Sequence, residues 1–506
     1  MSDPSLKRLA LSGVRWTVSA RVVVQLITWP ATIVVMRLLN PHDYGVVAMS
    51  TIVIGFVSLF GEPGLAAGLV QTQVLREDTS RAASGVILLL NLVLLAALML
   101  AAPAIAVWFH EPQLTLVIRV AAVSLLVTAI ATVPQAMLQR SLRFRELSIA
   151  LVAGNIAGSL ATVTCALAGL GVWALVIGTL VISAVNSCVT LFYHRSVVWP
   201  DLSRGFRPVR HLVHFSAHII GSRILWYWSV SADLVILGRL MRSSAVGSYN
   251  VGSSLAAIAG DKGMDTLNRV SFPTLSRMRG DTARFNSTAE RLLGLLALYG
   301  FSIAWGIAAV APEFVHVVLS DKWRLAVTPL AMLSIASPIR MLTAFQTTVN
   351  NAAGFPEATT KLLTLTGILL PIGILVGALT AGINGAAVSW VVVYPILFFV
   401  STFLTCQATR RTMRDSLRQV VVPFAGGSCM LIAVAGTRML LSGHLPPTAL
   451  LLLETAVGAV TFLGAVRILG PFLLADVRTL LRDLVRPEAT QTPTDSHIPI
   501  PPKSER

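Results

Sequence analysis

Four basic residues lie inside long apolar stretches of the sequence, where an isolated charge is unfavourable. They are Arg21, Arg223, Lys262 and Arg340. A charged side chain within the hydrocarbon layer of a membrane usually faces a cavity or a partner group. Guanidinium groups suit bidentate contact with phosphate oxygens. The four cations therefore predict a cationic chamber for a phosphorylated substrate. The alternative is that their long side chains extend to the membrane interface.

Arg21 and Arg223 are related by an internal repeat, which favours the chamber. Four residues recur 202 positions later: Arg21, Arg37, Leu38 and Gly45 as Arg223, Arg239, Leu240 and Gly247. Arg21 follows a basic helix end by six residues, which corresponds to a depth of ~9 Å. A similar argument puts Lys262 at ~10 Å, and Arg340 also lies nearer the same side.

Four acidic residues also lie within or beside apolar stretches. They are Glu62, Asp233, Asp261 and Asp265. Asp261 and Asp265 are four residues apart and share one helical face, whereas Lys262 points elsewhere. Each acid could bind a coupling ion or form a salt bridge with a cavity cation, and the sequence leaves both interpretations open.

The sequence gives little indication of a metal site, a nucleotide-binding loop or a catalytic set. His211, His214 and His218 share one helical face, but no acidic or Cys partner is adjacent. We interpret them as an interfacial polar stripe and predict no metal site. The sequence contains no GxxxxGK(S/T) phosphate loop and no evident catalytic set. We therefore expect no catalytic residues, no cofactor and no enzymatic activity.

The elements that carry these residues are predicted to be transmembrane helices. Of 506 residues, 55% are hydrophobic and only 12% are charged, with a mean hydropathy of +0.76. A soluble domain has about 25% charged residues. Apolar runs of about 20 residues match the thickness of a bilayer. The fourteen predicted spans are 16–36, 45–69, 82–107, 114–138, 147–168, 172–193, 212–237, 246–267, 292–318, 327–349, 361–379, 385–405, 417–440 and 449–469.

The distribution of basic residues predicts the orientation. With the N-terminus in the cytoplasm, 28 of the 39 Lys and Arg residues lie on the cytoplasmic side and seven on the other. Positive charge favours the cytoplasm, so both termini are expected there. The net charge of +16 is dispersed over helix ends, which argues against nucleic-acid binding.

The repeat also predicts the domain organisation. Six spans in each half restore the same orientation, so the halves are parallel. Transporters commonly bind substrate between two such halves. We expect an N-terminal lobe over residues 1–200, a C-terminal lobe over 201–410, two further helices over 411–485, and a disordered tail over 486–506.

Short segments in order along the chain resemble bacterial polysaccharide flippases. The most distinctive is RLLNPHDYG at residues 37–45. Further matching segments are 60–65, 139–144, 169–175, 233–238, 271–273, 321–323 and 382–385. The resemblance covers about residues 5–480. This family belongs to the superfamily that also contains multidrug antiporters and the peptidoglycan-precursor flippase.

The resemblance implies a V-shaped all-α bundle with two six-helix lobes and two additional C-terminal helices. It further implies a substrate, an undecaprenyl-diphosphate-linked oligosaccharide that is flipped across the bacterial inner membrane. The product would serve exopolysaccharide, O-antigen (lipopolysaccharide) or capsule synthesis. Membrane lipids and a polysaccharide polymerase are the implied partners. A diphosphate needs positive charge, which agrees with the predicted cationic chamber.

Three alternatives are weaker. A cation-coupled drug or metabolite antiporter of the same superfamily would favour an acidic, aromatic cavity rather than a basic one. A membrane glycosyltransferase or polymerase would need carboxylates or His in a sizeable loop, yet the longest loop, near 195–210, is basic. A peptidoglycan-precursor flippase fits the segment at 41–45 less well.

Overall fold

The chain forms a bundle of long helices. The computed structural model describes residues 4–61, 69, 77–194 and 210–470, and within α9 the side chains of 261–270 are outside this description. The helices are α1 (Pro4–Leu38), α2 (Pro41–Gly61), α3 (Glu77–Phe109), α4 (Leu114–Ala121), α5 (Val123–Arg140), α6 (Phe144–Leu167), α7 (Val172–Tyr193), α8 (Arg210–Leu240), α9 (Ser243–Arg277), α10 (Thr282–Ala309), α11 (Ala311–Phe314), α12 (Val327–Ala353), α13 (Pro356–Thr409), α14 (Met413–Leu441) and α15 (Pro447–Leu469).

The predicted all-α membrane fold is confirmed. Eleven helical segments of the described chain are long and apolar enough to cross a membrane. The 54-residue α13 is broken at Ala381 and Gly382, where Gly382 has φ 60°, so it makes two crossings. The helices α8 and α9 contain 31 and 35 residues and also have sufficient length. The described residues are therefore consistent with the predicted fourteen spans.

One predicted span differs from the helices at its end. The span at 292–318 is not continuous, because α10 ends at Ala309 and the short α11 follows, with Pro312 in its first turn. Proline lacks the N–H that would continue the preceding helix. A π-helical turn (Val315–Leu319) and a 3-10 turn (Asp321–Ala326) then lead to α12. The second predicted span extends to residue 69, and its part after Gly61, residues 62–68, lies outside the described residues.

Most helix packing occurs within each half of the repeat. In the first half, α6 packs on both α1 and α7, and in the second half α12 packs on α9, α10 and α13. The main contacts between the halves are made by α2, which packs on α9 and α8. The boundary of the candidate site is therefore formed by α2 from one half and by α8 and α9 from the other.

The last two helices join the second half through α10. Gly427 of α14 lies against the ring of Trp305, and a Cβ at this glycine would be 2.7 Å from the ring. Phe301, Trp305 and Phe424 form edge-to-face ring contacts with centroids 4.9–5.7 Å apart. The Trp305 Nε1 donates to the Ile335 carbonyl at 2.9 Å. These contacts fix α14 on the core of the second half.

A buried ion triad completes this attachment. Arg438 of α14 donates to Glu313 at 2.7 Å and to Glu454 of α15 at 3.1 Å, and also to the Ala309 carbonyl at 2.6 Å. Glu454 is fully buried. Two carboxylates therefore share one guanidinium, and the charge of each group is compensated by its partners.

We expect Arg438→Gln to destabilise the protein strongly. The substitution leaves the buried Glu454 and the partly buried Glu313 without their cation, a loss of about 3 kcal/mol. The readout is the apparent melting temperature of the purified protein in detergent, which should fall by several degrees. The control is Arg414→Gln at an exposed position of the same helix, which should melt like the parent. Equal melting temperatures for both variants would contradict the structural role of the triad.

Candidate functional site

A hydroxyl-rich cavity lies between the two halves of the repeat. Its volume is about 580 Å³, and its walls come from α1, α2, α6, α7, α8 and α9. Its polar lining residues are Thr28, Thr32, Tyr44, Thr51, Ser159, Thr162, Thr179, Tyr227, Ser231 and Asn250. Most of the cavity surface is apolar, and these side chains add hydroxyl and amide groups to it within the membrane.

Several of these hydroxyls are already committed as donors. Thr28 donates to the Val24 carbonyl at 2.9 Å, and Thr162 donates to the Gly158 carbonyl at 2.8 Å. Thr179 makes the same kind of bond one turn back along its helix. Their oxygen lone pairs remain available as acceptors. The cavity is therefore suited to a ligand rich in hydroxyl donors, such as a sugar.

The repeat-related arginines lie on the helices that line this cavity. Arg21 precedes Thr28 by seven residues on α1, and Arg223 precedes Val230 by seven residues on α8. Two helical turns separate residues seven positions apart, so each arginine shares a helical face with the cavity wall. Both side chains are exposed. The two cations thus lie near the middle of two cavity-lining helices, two turns before the residues that line the cavity.

The other two predicted cations have different settings. Arg340 is half-buried on α12 in the second half, with its guanidinium 5.7 Å from the centroid of the Trp390 ring. Lys262 belongs to α9, and its side chain is outside the described part of the chain. Arg21 and Arg223 therefore lie on helices of the cavity without lining it, and Arg340 belongs to a polar cluster of the second half.

Asp233 belongs to the same cluster as Arg340. Its carboxylate is buried, accepts a hydrogen bond from the Tyr249 hydroxyl at 3.1 Å, and accepts another from the Leu234 backbone at 2.8 Å. Arg340 is close enough to interact electrostatically with it. This environment is typical of a buried acid with a charged partner. Three other predicted acids, Glu62, Asp261 and Asp265, have side chains outside the described residues.

At one face of the bundle the two halves meet backbone to backbone. A Cβ on Gly45 of α2 would lie 1.8 Å from the Ser243 carbonyl oxygen, and one on Gly247 of α9 would lie 1.8 Å from the Pro41 carbonyl oxygen. Only glycine permits such an approach. We call this contact of Gly45 and Gly247 the glycine closure, and the membrane face that carries it the closed face.

The second pair of repeat-related arginines reinforces the glycine closure. Arg37 of the first half donates from Nε to the Val318 carbonyl of the second half at 2.8 Å. Arg239 of the second half contacts the His110 ring of the first half at 2.7 Å. Each arginine thus reaches across to the other half. The glycine closure and its flanking bonds therefore follow the symmetry of the repeat.

Two residues of the 3-10 turn strengthen the same contact. The Lys322 ammonium donates to the Arg37 carbonyl at 2.6 Å, and the Trp323 Nε1 donates to the Met36 carbonyl at 2.8 Å. The Trp323 ring also meets Tyr44 edge to face, with centroids 5.2 Å apart. These bonds satisfy the last carbonyls of α1, which have no partner within the helix itself.

The residues that form the glycine closure belong to a segment that matches a known protein family. The family described as "Polysaccharide biosynthesis protein" matches residues 34–329, which is more than half of the chain. The chain belongs to this family. The match includes the RLLNPHDYG segment at 37–45 and confirms the resemblance that this segment predicts.

Relatives of the chain come from different bacteria. The chain is 23% identical to the lipopolysaccharide biosynthesis protein WzxC of Escherichia coli (strain K12), over 66% of this chain and 68% of that protein. It is also 23% identical to the teichuronic acid biosynthesis protein TuaB of Bacillus subtilis (strain 168), over 86% and 90%. The latter relative aligns with most of the transmembrane bundle.

Solved structures confirm the fold of this family member. The lipid II flippase MurJ, in an inward closed conformation, matches with a TM-score of 0.70 and 12% identity, over 94% of this chain and all of that structure. An inward-facing multidrug resistance MATE transporter matches with a TM-score of 0.61 and 14% identity, over 76% and 94%. At these identities the matches show the shared fold and nothing more about activity.

Sequence reasoning did not find the hydroxyl-rich cavity or the glycine closure. Thr28 and Thr32 are one helical turn apart, which is a detectable signal, but their common face becomes a wall only when α2 and α8 pack against it. Gly45 and Gly247 were matched by the repeat, although their mutual contact was not predicted. The repeat therefore indicated which residues are equivalent in the two halves, whereas the composition of the spans did not indicate the cavity.

We expect Gly45→Leu to disrupt the glycine closure. A leucine side chain overlaps the Ser243 carbonyl, so the halves must separate at the closed face. A shift of only about 1.4 kcal/mol changes the open population tenfold. The readout is the labelling rate of Thr51→Cys, a cavity position, by a membrane-impermeant thiol reagent added at the closed face, in a variant without native cysteines.

The matched control is Gly436→Leu on α14. A Cβ at Gly436 meets no described atom within 4 Å, so the labelling rate should match that of the parent. Gly247→Leu should reproduce the effect of Gly45→Leu, because the two glycines have equivalent roles. Unchanged labelling in both variants, with folded protein, would exclude the glycine closure as the barrier to the cavity.

Proposed function

We propose that this chain is a flippase that moves undecaprenyl-diphosphate-linked oligosaccharide repeat units across the bacterial cytoplasmic membrane. The observation that carries the proposal is the hydroxyl-rich cavity between the halves, with Arg21 and Arg223 on two of its helices. Hydroxyl oxygens accept hydrogen bonds from sugars, whereas guanidinium groups bind phosphates. The flipped units would supply exopolysaccharide, O-antigen or capsule synthesis.

The names of the relatives support this substrate class. WzxC is a lipopolysaccharide biosynthesis protein, TuaB a teichuronic acid biosynthesis protein, and ExoT of Rhizobium meliloti a succinoglycan biosynthesis transport protein. All three names refer to the biosynthesis of a carbohydrate polymer, and that of ExoT also refers to transport. The shared requirement is the transport of a large polar group through the membrane, which needs a polar compartment rather than a catalytic centre.

The proposed mechanism alternates the access of the cavity. Both termini lie in the cytoplasm, so the closed face is the outer one, and the headgroup binds from the cytoplasm near Arg21 and Arg223. The lobes, residues 1–200 and 201–410, then rock about the cavity, and the glycine closure separates. The helices α14 and α15 move with the second lobe, because Arg438 donates to the Ala309 carbonyl and Phe424 packs on Trp305.

Rocking of the lobes is proposed to be coupled to changes in buried charged groups rather than to nucleotide hydrolysis. Asp233 and Arg340 form a compensated cluster in the second half, and we propose them as a salt-bridge unit that changes during rocking. Lys262 is proposed as a further phosphate ligand. Glu62, Asp261 and Asp265 are retained as coupling or salt-bridge candidates. Membrane lipids and a polysaccharide polymerase are the proposed partners, and the chain itself is proposed to be no enzyme.

A cation-coupled antiporter is the second candidate function. The observation that favours it is the buried aromatic group around Asp233, in which Trp390 and Tyr394 stack with centroids 5.4 Å apart. Acidic and aromatic groups suit an organic cation. Arg340 within the same cluster opposes this candidate, because its positive charge repels a cationic ligand.

We expect Arg21→Ala and Arg223→Ala each to reduce flipping by about 10- to 100-fold, because each removes a charge-assisted phosphate contact. The measurement uses proteoliposomes with a fluorescent undecaprenyl-diphosphate oligosaccharide, whose accessibility to an external quencher reports translocation. Arg21→Lys should recover only part of the rate, because an ammonium lacks the bidentate geometry of a guanidinium.

The control for this assay is Arg414→Ala, an exposed cation on α14, which should flip at the parental rate. Full activity of both cavity variants would overturn the phosphate-binding role and leave the arginines as interfacial anchors. Absence of flipping by the parent protein, with and without an imposed proton or sodium gradient, would favour the antiporter, which can be tested by efflux of an organic cation.

A further inference from the structure

A second compartment, entirely different in chemistry, lies beside the hydroxyl-rich cavity. It is a groove of about 810 Å³ between α2, α3 and α8, and almost all of its surface is apolar. Its lining includes Phe56, Leu94, Ala101, Trp108, Leu225 and Trp228. We call it the apolar groove. It adjoins α2 and α8, the helices that also bound the cavity.

The apolar groove opens laterally toward lipid. Phe56, Trp108 and Trp228 line it and are each more than 40% exposed, although they belong to transmembrane helices. Its floor consists of small side chains, because Ala97, Ala101 and Ala104 share one face of α3. Small side chains let a ligand approach the helix closely, and aromatic rings provide rigid walls on either side.

The apolar groove and the cavity share a wall that is one side chain thick. Ile52, Tyr227 and Ser231 line both compartments. The Tyr227 hydroxyl donates to the Ile52 carbonyl at 2.7 Å, which ties α8 to α2 across the boundary between the halves. The cavity with its hydroxyl groups and the apolar groove therefore adjoin at this position, as an amphiphilic ligand requires.

Positive charge lies at this junction. Arg223 is exposed and immediately precedes Ile224 and Leu225, two residues of the apolar groove. It also precedes Tyr227, the shared wall, by one helical turn. A phosphate bound by Arg223 would therefore lie where both compartments begin, with a polar group directed to the cavity and an apolar chain to the apolar groove.

We propose that the apolar groove binds the isoprenoid chain of the lipid-linked substrate while the headgroup occupies the cavity. This inference rests on the proposed function. Because lipid is as apolar as the groove, burial from water provides no selectivity, and the preference must come from close packing. A stiff, methyl-branched chain between aromatic walls and a floor of alanines gains such contacts over a flexible acyl chain.

The test measures chain binding separately from flipping. The full-length protein in phosphatidylethanolamine–phosphatidylglycerol nanodiscs is illuminated with a polyprenyl diphosphate that carries a diazirine on its isoprenoid chain and no sugar. We expect adducts on Leu94 and Trp108, which line the apolar groove, and loss of these adducts with excess unlabelled undecaprenyl diphosphate. Excess phospholipid should not compete. This readout needs no substitution, so it does not depend on a variant that folds.

Matched variants on α3 sharpen the result. Ala101→Trp fills the apolar groove and should raise the half-saturating probe concentration about tenfold. Leu100→Trp, at a neighbouring position that is 83% exposed, should leave it unchanged. Equal labelling of Leu100 and Leu94, competition by phospholipid, or equal affinity of both variants would overturn the inference.

The two proposals can fail independently. Competable labelling of the apolar groove without any flipping in proteoliposomes would support the groove and refute the flippase function. Flipping together with unselective labelling would support the flippase function and refute the groove as the site of the isoprenoid chain.

Discussion

Two carbonyl oxygens and two glycines determine how the halves of this protein meet. The Pro41 and Ser243 carbonyls occupy the space that a Cβ at Gly247 and Gly45 would need. Because both glycines begin long helices, their contact fixes the direction in which α2 and α9 diverge. The arginines that follow the repeat, Arg37 and Arg239, then bond across the same boundary. The cavity lies between the halves that this contact joins.

This arrangement explains why polar residues are placed where they are. A membrane interior disfavours polar and charged groups, yet several hydroxyls line the cavity and the arginines lie on two of its helices. The neighbouring apolar groove lacks them almost completely. One wall, Tyr227 with Ile52, separates the two environments. The pairing of a polar compartment with an apolar one is the structural counterpart of an amphiphilic substrate.

The sequence predicted the elements better than their contacts. The span lengths could be predicted because an apolar run of bilayer length is a local feature of the sequence. The break at 379–385 is also local, because it lies at a glycine with φ 60°. The matching of Gly45 with Gly247 also followed from the repeat. In contrast, Arg438 binds Glu313 from 125 positions away, and no local pattern announces such a partner. The hydroxyl-rich cavity was likewise hidden, because six helices contribute to it.

The proposed mechanism requires the halves to separate at the closed face for the substrate to cross. It is tested most directly by a short thiol-specific cross-link between His110→Cys and Arg239→Cys, whose native side chains are 2.7 Å apart across the boundary. Flipping in proteoliposomes should stop when the link forms and return when it is cleaved. A link between Arg143→Cys and Glu146→Cys, within one half, should have no effect. Undiminished flipping by fully cross-linked His110→Cys/Arg239→Cys protein would contradict the account.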